Sequence, residues 1–195
     1  MRVLFVNSCP RGYESRTLRL AVTFLNSLED AEIIEHDLST MGLQSIDKAT
    51  LAKREQLCCD HAWNDPFLAP AVEFQQADLV VIAAPYWDLS FPSILKTWVE
   101  HMWVRNLTFH YDETGCVGHC QAKRCVYITT SGSPIGDNDW GTGYIRAVMQ
   151  ALGIPSFDAI KAEGIDIDGC DVAAVLAKAE REARSLARSI HEEEK

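Results

Sequence analysis

No apolar stretch in this sequence approaches the ~20 residues needed to cross a bilayer. The opening run Val3–Val6 is too short for a signal h-region and passes straight into polar residues. The expectation is a soluble, cytoplasmic protein that does not engage a membrane. Positive charge is also scarce: 18 Lys and Arg stand against 28 Asp and Glu, a formal charge of −10. Without a local basic patch, such a chain repels phosphate backbones, which argues against nucleic-acid binding. The sequence lacks G-x-x-x-x-G-K-[ST], G-x-G-x-x-G, G-x-S-x-G and H-E-x-x-H. Their absence disfavours a P-loop ATPase, a classical dinucleotide fold, a serine hydrolase and a zinc protease. There is no internal repeat, linker or low-complexity segment.

Cysteine is present but not in a disulfide or zinc pattern. The count is seven, an odd number. Cys58 and Cys59 are adjacent, and Cys116 and Cys120 flank a stretch ending in His119. Structural zinc wants two close pairs, and a vicinal pair has the wrong spacing, so no metal is expected. Reduced thiols in a cytosolic protein are the simpler reading, with Cys58 and Cys59 idle. At 195 residues the chain needs no staple, because a domain of this size buries roughly 70% of its unfolded surface. One domain over 1–195 is expected.

Strand-like and helix-like segments alternate along the chain. Val3–Val6 is wholly apolar, as suits a strand buried on both faces. Leu18, Ala21, Val22, Leu25 and Leu28 then recur at helical spacing. Residues 32–36 read as a strand, 47–58 and 66–76 as helices, and 78–84 as the clearest strand. Pro85 ends that strand. Pro92 opens a helix striped by Leu95, Trp98, Val99 and Met102, at a position where a missing N–H costs nothing. A strand over 124–129, a loop over 130–138, a helix over 144–152 and a strand over 157–163 follow. Gly141-Thr142-Gly143 reads as a turn. Asp171 caps a last helix striped by Val172, Val175, Leu176, Ala179, Ala183, Leu186 and Ile190. Glu192–Glu194 reads as a solvated tail. Such alternation means right-handed βαβ crossovers and an α/β fold. The expected architecture is flavodoxin-like: three layers, with a five-stranded parallel sheet of order 2-1-3-4-5 between helices.

In that topology ligands bind beyond the carboxyl ends of the strands. The loops 7–17, 85–93 and 130–138 fall there. In the first, Ser15, Arg16 and Thr17 open a helix, where free N–H groups and the dipole favour an anion. The two hydroxyls and the guanidinium, with Arg11 nearby, suit a phosphate monoester, although any one residue alone reads as a cap. The second loop clusters Tyr86, Trp87 and Phe91 where a flat ring could pack. The third, Thr130-Ser131-Gly132-Ser133-Pro134-Ile135-Gly136, is small and hydroxyl-rich, and its backbone could approach a planar ligand closely.

These residues resemble the FMN-dependent NAD(P)H oxidoreductases of flavodoxin fold, the group of NADH-azoreductases and quinone reductases. The first loop is similar to that family's S-P-R-G-x-x-S-x-S. Residues 83–96 resemble its A-A-P-M-Y-N-F-x-x-P-S-x-L-K. Leu107-Thr108-Phe109-His110-Tyr111 with Gly115 resembles T-F-x-Y-x-x-x-G. Ile128-Thr129-Thr130-Ser131-Gly132 resembles I-T-x-R-G-G, and Ala162-Glu163-Gly164 matches a late A-E-G. The likeness runs through nearly the whole chain in order. It implies an FMN cofactor and NADH or NADPH as donor. Hydride would pass through a single site to a small flat acceptor such as a quinone, azo or nitro compound, with ping-pong kinetics. No Arg or Lys cluster suits a 2′-phosphate, which favours NADH.

The resemblance also implies roles. Ser15, Arg16 and Thr17 would hold the phosphate, with Ser8 or Cys9 beside them. Pro85, Tyr86, Trp87, Asp88 and Leu89 would line one side of the ring, and Thr130, Ser131, Gly132 and Ser133 its polar edge. No side chain is assigned as acid or base. The expected assembly is a homodimer with flavin at the interface, where Phe109 and Tyr111 reach the partner's flavin and Trp87, Phe109 and Tyr111 contact the acceptor. Four departures are notable. Cys9 stands where the family commonly has Ser, and Asp88 where azoreductases have Asn. Ser131 and Ser133 replace Arg and Gly, and Ile135 falls where azoreductases carry His. Two rival readings are a flavodoxin-like electron carrier and a cofactor-free binding module. His101, His110 and His119 read as surface residues.

Overall fold

The structure, a computed structural model, describes residues 1–193. In chain order the elements are β1 (Arg2–Asn7), α1 (Arg16–Leu25), β2 (Glu32–Asp37), α2 (Lys48–Cys59), α3 (Ala69–Gln76), β3 (Leu79–Ala83) and α4 (Ser93–Met102). Then come β4 (Phe109–Asp112), β5 (Gly115–Gly118), β6 (Arg124–Thr130), α5 (Trp140–Ala151), β7 (Ser156–Ala162) and α6 (Val172–Glu193). The main sheet has the order β2-β1-β3-β6-β7, all parallel. Counting only its own strands, that is the expected 2-1-3-4-5. β4 and β5 form a separate antiparallel hairpin.

Burial explains the strand compositions. β3 is central and every residue of Leu79–Ala83 is buried. β2 lies at the edge, so Ile33 is largely exposed while His36 points inward. Helices α1 and α6 cover one face, packing Leu20, Phe24, Leu176, Ala183 and Ile190 on Val3, Phe5, Val81 and Val126. Helices α3, α4 and α5 cover the other, where Phe74, Trp98, Met102 and Met149 pack on Leu4, Val6, Ile82 and Tyr127. Leu95, Trp98, Val99 and Met102 are all buried, as their spacing indicates.

Several boundaries differ from the sequence reading. In α1 Val22 is 42% exposed, and Leu20 and Phe24 take the buried stripe instead. Leu28 lies beyond the helix. α5 begins four residues earlier than its apolar stripe, so Gly141-Thr142-Gly143 is its first turn rather than a loop turn. Asp139 caps it, its Oδ1 accepting from the Thr142 amide at 3.0 Å. Gly141 packs closely there: an added Cβ would lie 3.3 Å from Ser90 backbone and the Phe91 ring, so a larger residue would press on the second loop. Asp171 caps α6 through the Ala174 amide, as its position suggests. Glu192 and Glu193 continue that helix, and Glu194 lies outside the described residues.

The hairpin sits at the amino ends of the sheet strands. α4 carries the chain down from the end of β3, and Gly118 lies against the Leu152–Gly153 backbone that precedes β7. The Cys120 amide donates to the Leu152 carbonyl at 3.1 Å, and the Gln121 amide to the Gln75 carbonyl at 2.9 Å. Phe109 is only 7% exposed, packed edge-on to Trp103 and Tyr111, so it is core and not an open contact surface. Tyr111 is 67% exposed.

Candidate functional site

Three loops meet at the carboxyl ends of β1, β3 and β6. They enclose a cavity of about 450 Å³ lined by Arg11, Ser15, Arg16, Thr17, Tyr86, Trp87, Thr130 and Gly132, among others. Ser15 is the N-cap of α1, its Oγ accepting from the Leu18 amide at 3.2 Å. The amides of Arg16 and Thr17, the first two of the helix, have no intrahelical acceptor and open on the cavity. With the Ser15 and Thr17 hydroxyls and two guanidiniums, these are donors for an anion of phosphate type. Thr17 Oγ1 and Thr130 Oγ1 lie 2.7 Å apart, tying the first loop to the third. Arg16 Nη1 donates to Asp166 Oδ1 at 2.7 Å across the mouth.

The aromatic wall is held by the backbone. The Tyr86 amide donates to the Thr130 carbonyl at 3.0 Å, and Tyr86 Oη to the Asn138 carbonyl at 3.0 Å. Trp87 and Ser90 exchange two backbone hydrogen bonds around Asp88 and Leu89, whose φ angles are 50° and 66°. Positive φ at both central residues makes this a type I′ turn, usually built with Asn-Gly. A leucine in the left-handed region is strained by roughly 1–2 kcal/mol. The two backbone hydrogen bonds that close the turn hold Trp87 at the rim, 42% exposed, against that strain.

Not every residue expected at the cavity wall is there. Cys9 turns into the sheet, its thiol directed at the Ala83 carbonyl, and burial pushes it up to about 11. It is a protonated thiol that does not face the anion pocket. The Ser8 amide donates to the Ala83 carbonyl at 2.9 Å, and its hydroxyl is buried away from the anion pocket. Ser131 is 2% exposed; its amide donates to the Ala162 carbonyl and its hydroxyl to the Ser133 carbonyl, so it shapes the loop. Ser133 and Leu89 are exposed outside the cavity lining. Gly132 is where the backbone comes close, and an added Cβ would stand 2.6 Å from Asp166 Oδ2. Ile135 is buried and its amide donates to Glu163 Oε2 at 2.9 Å, which pins the third loop to the end of β7. Phe109 and Tyr111 lie at the opposite end of the sheet from this chain's own cavity.

Asp166 and Asn138 have roles that the sequence reading did not assign. Of the histidines, His110 and His119 pair across the hairpin, Nδ1 to Nε2 at 2.6 Å, and are not free surface groups. His36, unremarked in the sequence, is buried between Trp98 Nε1, which donates to Nδ1 at 3.0 Å, and Glu73 Oε2 at 2.7 Å. Among the described residues, no group of three or more His, Cys, Asp or Glu is placed to hold a metal, and no helix is long and apolar enough to cross a membrane.

The donor set, the aromatic wall and the glycine approach together fit a planar group carrying a phosphate. A family model for the flavodoxin-like fold matches residues 1–187. A protein of Clostridium acetobutylicum named FMN-dependent NADH:quinone oxidoreductase 2 is 34% identical, covering 96% of this chain and 98% of its own length. An FMN-dependent NADH:quinone oxidoreductase of Coprothermobacter proteolyticus is 32% identical over the same shares. Among solved structures, an FMN-dependent NADH-azoreductase from Bacillus anthracis in complex with FMN superposes with a TM-score of 0.85 at 23% identity, covering 97% of this chain and 99% of that one.

Proposed function

The chain belongs to the flavodoxin-like fold family, and we propose that it is an FMN-dependent NADH:quinone oxidoreductase. The observation that carries this reading is the cavity itself: a helix N-terminus with two open amides and two arginines faces an aromatic wall across a glycine loop. Relatives more than 30% identical over nearly the full chain carry that activity in their names.

The residues divide the work. Ser15, Thr17 and the Arg16 and Thr17 amides would hold the FMN phosphate, and Arg11 and Arg16 would balance its charge. Tyr86 and Trp87 present flat apolar surface to the ring and keep water from one side. Thr130 and the Gly132 backbone meet its polar edge. Bound there, FMN would supply the hydride chemistry that links NADH to the acceptor, and that chemistry is the cofactor's. The half-exposed Trp87 offers the stacking surface on which a flat acceptor docks. Quinones are the acceptors we assign first, with azo and nitro compounds as further substrates. Phe109 is buried under Trp103 and Tyr111, and the exposed Tyr111 lies too far from this chain's own cavity, so its contribution requires a second copy. A cytoplasmic homodimer that brings the hairpin of one chain over the cavity of its partner is part of this reading.

The test is the visible spectrum. Purified protein should retain FMN, bleach with NADH under anaerobic conditions and recover colour on adding a quinone. Bound flavin that NADH cannot bleach would support a carrier, and no bound flavin would leave a binding module. Trp87→Ala should lower acceptor turnover more than FMN retention; equal loss of both would count against the stacking role.

A further inference from the structure

At the amino end of the sheet two histidines face each other across the β4–β5 hairpin. His110 lies in β4, paired with Val117 of β5. His119 follows β5, and its amide donates to the Thr108 carbonyl at 2.8 Å. Side chains two apart in a strand share a face. Thr108, His110 and Asp112 therefore stand on the same side of the hairpin as Val117 and His119, while Phe109, Tyr111 and Cys116 take the other. The two imidazoles are diagonal neighbours, a spacing that long side chains can span. His110 Nδ1 and His119 Nε2 are 2.6 Å apart, and the ring centroids 4.7 Å. Both imidazoles are half-buried, and Asp112 and Val117 beside them also keep solvent-accessible surface.

We infer that His110 and His119 form a binding site for a divalent transition-metal ion such as nickel or zinc, with His110 Nδ1 and His119 Nε2 as its two protein ligands. Imidazole suits such ions, and zinc–nitrogen bonds are about 2.0–2.1 Å long. Two imidazoles side by side on one ion hold their nitrogens roughly 3 Å apart. The observed 2.6 Å needs only a small outward tilt of the two rings to reach that separation. In the hydrogen-bonded pair one facing nitrogen carries a proton and the other accepts it. On metal binding that proton moves to the far nitrogen of its own ring. Both rings stay neutral, and both facing lone pairs go to the ion. Water fills the remaining positions, because among the described residues no third His, Cys, Asp or Glu is placed to join them. The ion is therefore exchangeable, unlike a structural zinc with four protein ligands. Asp112 on the same face and the net charge of −10 favour a cation there. The ion ties β4 to the chain beyond β5 and so braces the hairpin.

Calorimetric titration of the full chain with Ni²⁺ tests the inference. One ion should bind per chain, with a dissociation constant on the order of 10 µM. His110→Asn and His119→Asn should each weaken binding at least about tenfold, since either leaves a single imidazole. At a hundredfold excess over the dissociation constant, Ni²⁺ should raise the melting temperature of the parent by about 5 °C and leave both variants unmoved. The double variant Cys59→Ser, Cys116→Ser is the control, because these thiols are exposed and thiolates also take such ions. It should bind Ni²⁺ as the parent does. Binding lost in the double cysteine variant places the ion on the thiols and overturns the assignment, as does binding that survives loss of either histidine or no binding to the parent. Where a histidine variant fails to fold, proton NMR of the parent decides. Ni²⁺ should broaden two of the six histidine rings together at one ion per chain, and any other number overturns the site.

Discussion

The two ends of the central sheet are built on opposite terms. At the amino end the chain closes on itself through backbone hydrogen bonds. The Asp78 amide donates to the Arg2 carbonyl at 2.8 Å, Lys123 to Asp78 at 3.1 Å and Gln121 to Gln75 at 2.9 Å. Gly118 packs so tightly that a Cβ would fall 1.9 Å from the Leu152 carbonyl carbon. At the carboxyl end the buried Ser8 hydroxyl has no protein partner. There two non-glycine residues in succession sit at positive φ, and two helix amides stay open. The same strands therefore end in a clamp on one side and in unmet hydrogen-bonding capacity on the other. Unmet groups and strain cost stability, and they persist where a ligand uses them.

Gly118→Ala should break the comparison most severely. No side-chain movement relieves a clash with backbone, so the hairpin must lift from Leu152, at a cost of about 3 kcal/mol. Urea unfolding would report it as a lower midpoint, while the FMN affinity of the molecules that remain folded stays near that of the parent. A loss below about 1 kcal/mol would show that the amino end is no clamp. Arg16→Ala is the converse change. Its ion pair with Asp166 is exposed on both sides and adds little to folding. Stability should hold within about 0.5 kcal/mol while FMN binding weakens about tenfold, or about 1.4 kcal/mol. A flavin titration set beside a thermal melt separates the two.

The comparison also shows which features could be read from the residues. Strand order followed from alternation and crossover handedness, because Val3–Val6 and residues 79–83 have the composition of doubly buried strands. The loops that build the cavity were legible for the same topological reason. The start of α5 was not, because Gly141 and Gly143 look like breakers until Phe91 and Ser90 are seen packed on the helix. Side-chain direction within the loops was also hidden. Cys9 and Ser131 stand at the expected positions, yet each spends its side chain on a carbonyl of the protein. The type I′ turn at Asp88 and Leu89 carried no Asn-Gly signal to announce it. His36 could have been found, since Ile34 and His36 share the inward side of β2, but nothing local names Trp98 and Glu73 as its partners.

Leu89→Gly probes the strain itself. Glycine adopts the left-handed region freely, which removes roughly 1–2 kcal/mol, while its extra unfolded-state freedom returns about 0.5–1 kcal/mol. Leu89 is half exposed, so little packing is lost. The variant should gain about 0.5 kcal/mol in urea unfolding and turn over quinone more slowly, because the turn holds Trp87 less firmly. A variant that is both more stable and equally active would show that the strain serves no function.

The smallest effect lies where the third loop meets the body of the sheet. Asp139 caps α5 and is bridged by the Lys161 ammonium from β7. Burial alone would raise its carboxyl, but the hydrogen bonds from Lys161 and Thr142 outweigh that and hold it below its ordinary value. A carboxyl lowered by folding contributes stability at pH values above its unfolded value near 4. That contribution is lost as pH falls through the lower, folded value. Melting temperatures at pH 6 and near pH 3 should thus differ more for the parent than for Lys161→Met, which gives up about 0.5 kcal/mol at pH 6. Other carboxyls titrate in the same range, so the double difference between the two proteins isolates the bridge. Identical acid losses would mean that Asp139 is held by its cap alone and that the Lys161 bridge adds nothing to the other hydrogen bonds that hold the third loop to β7.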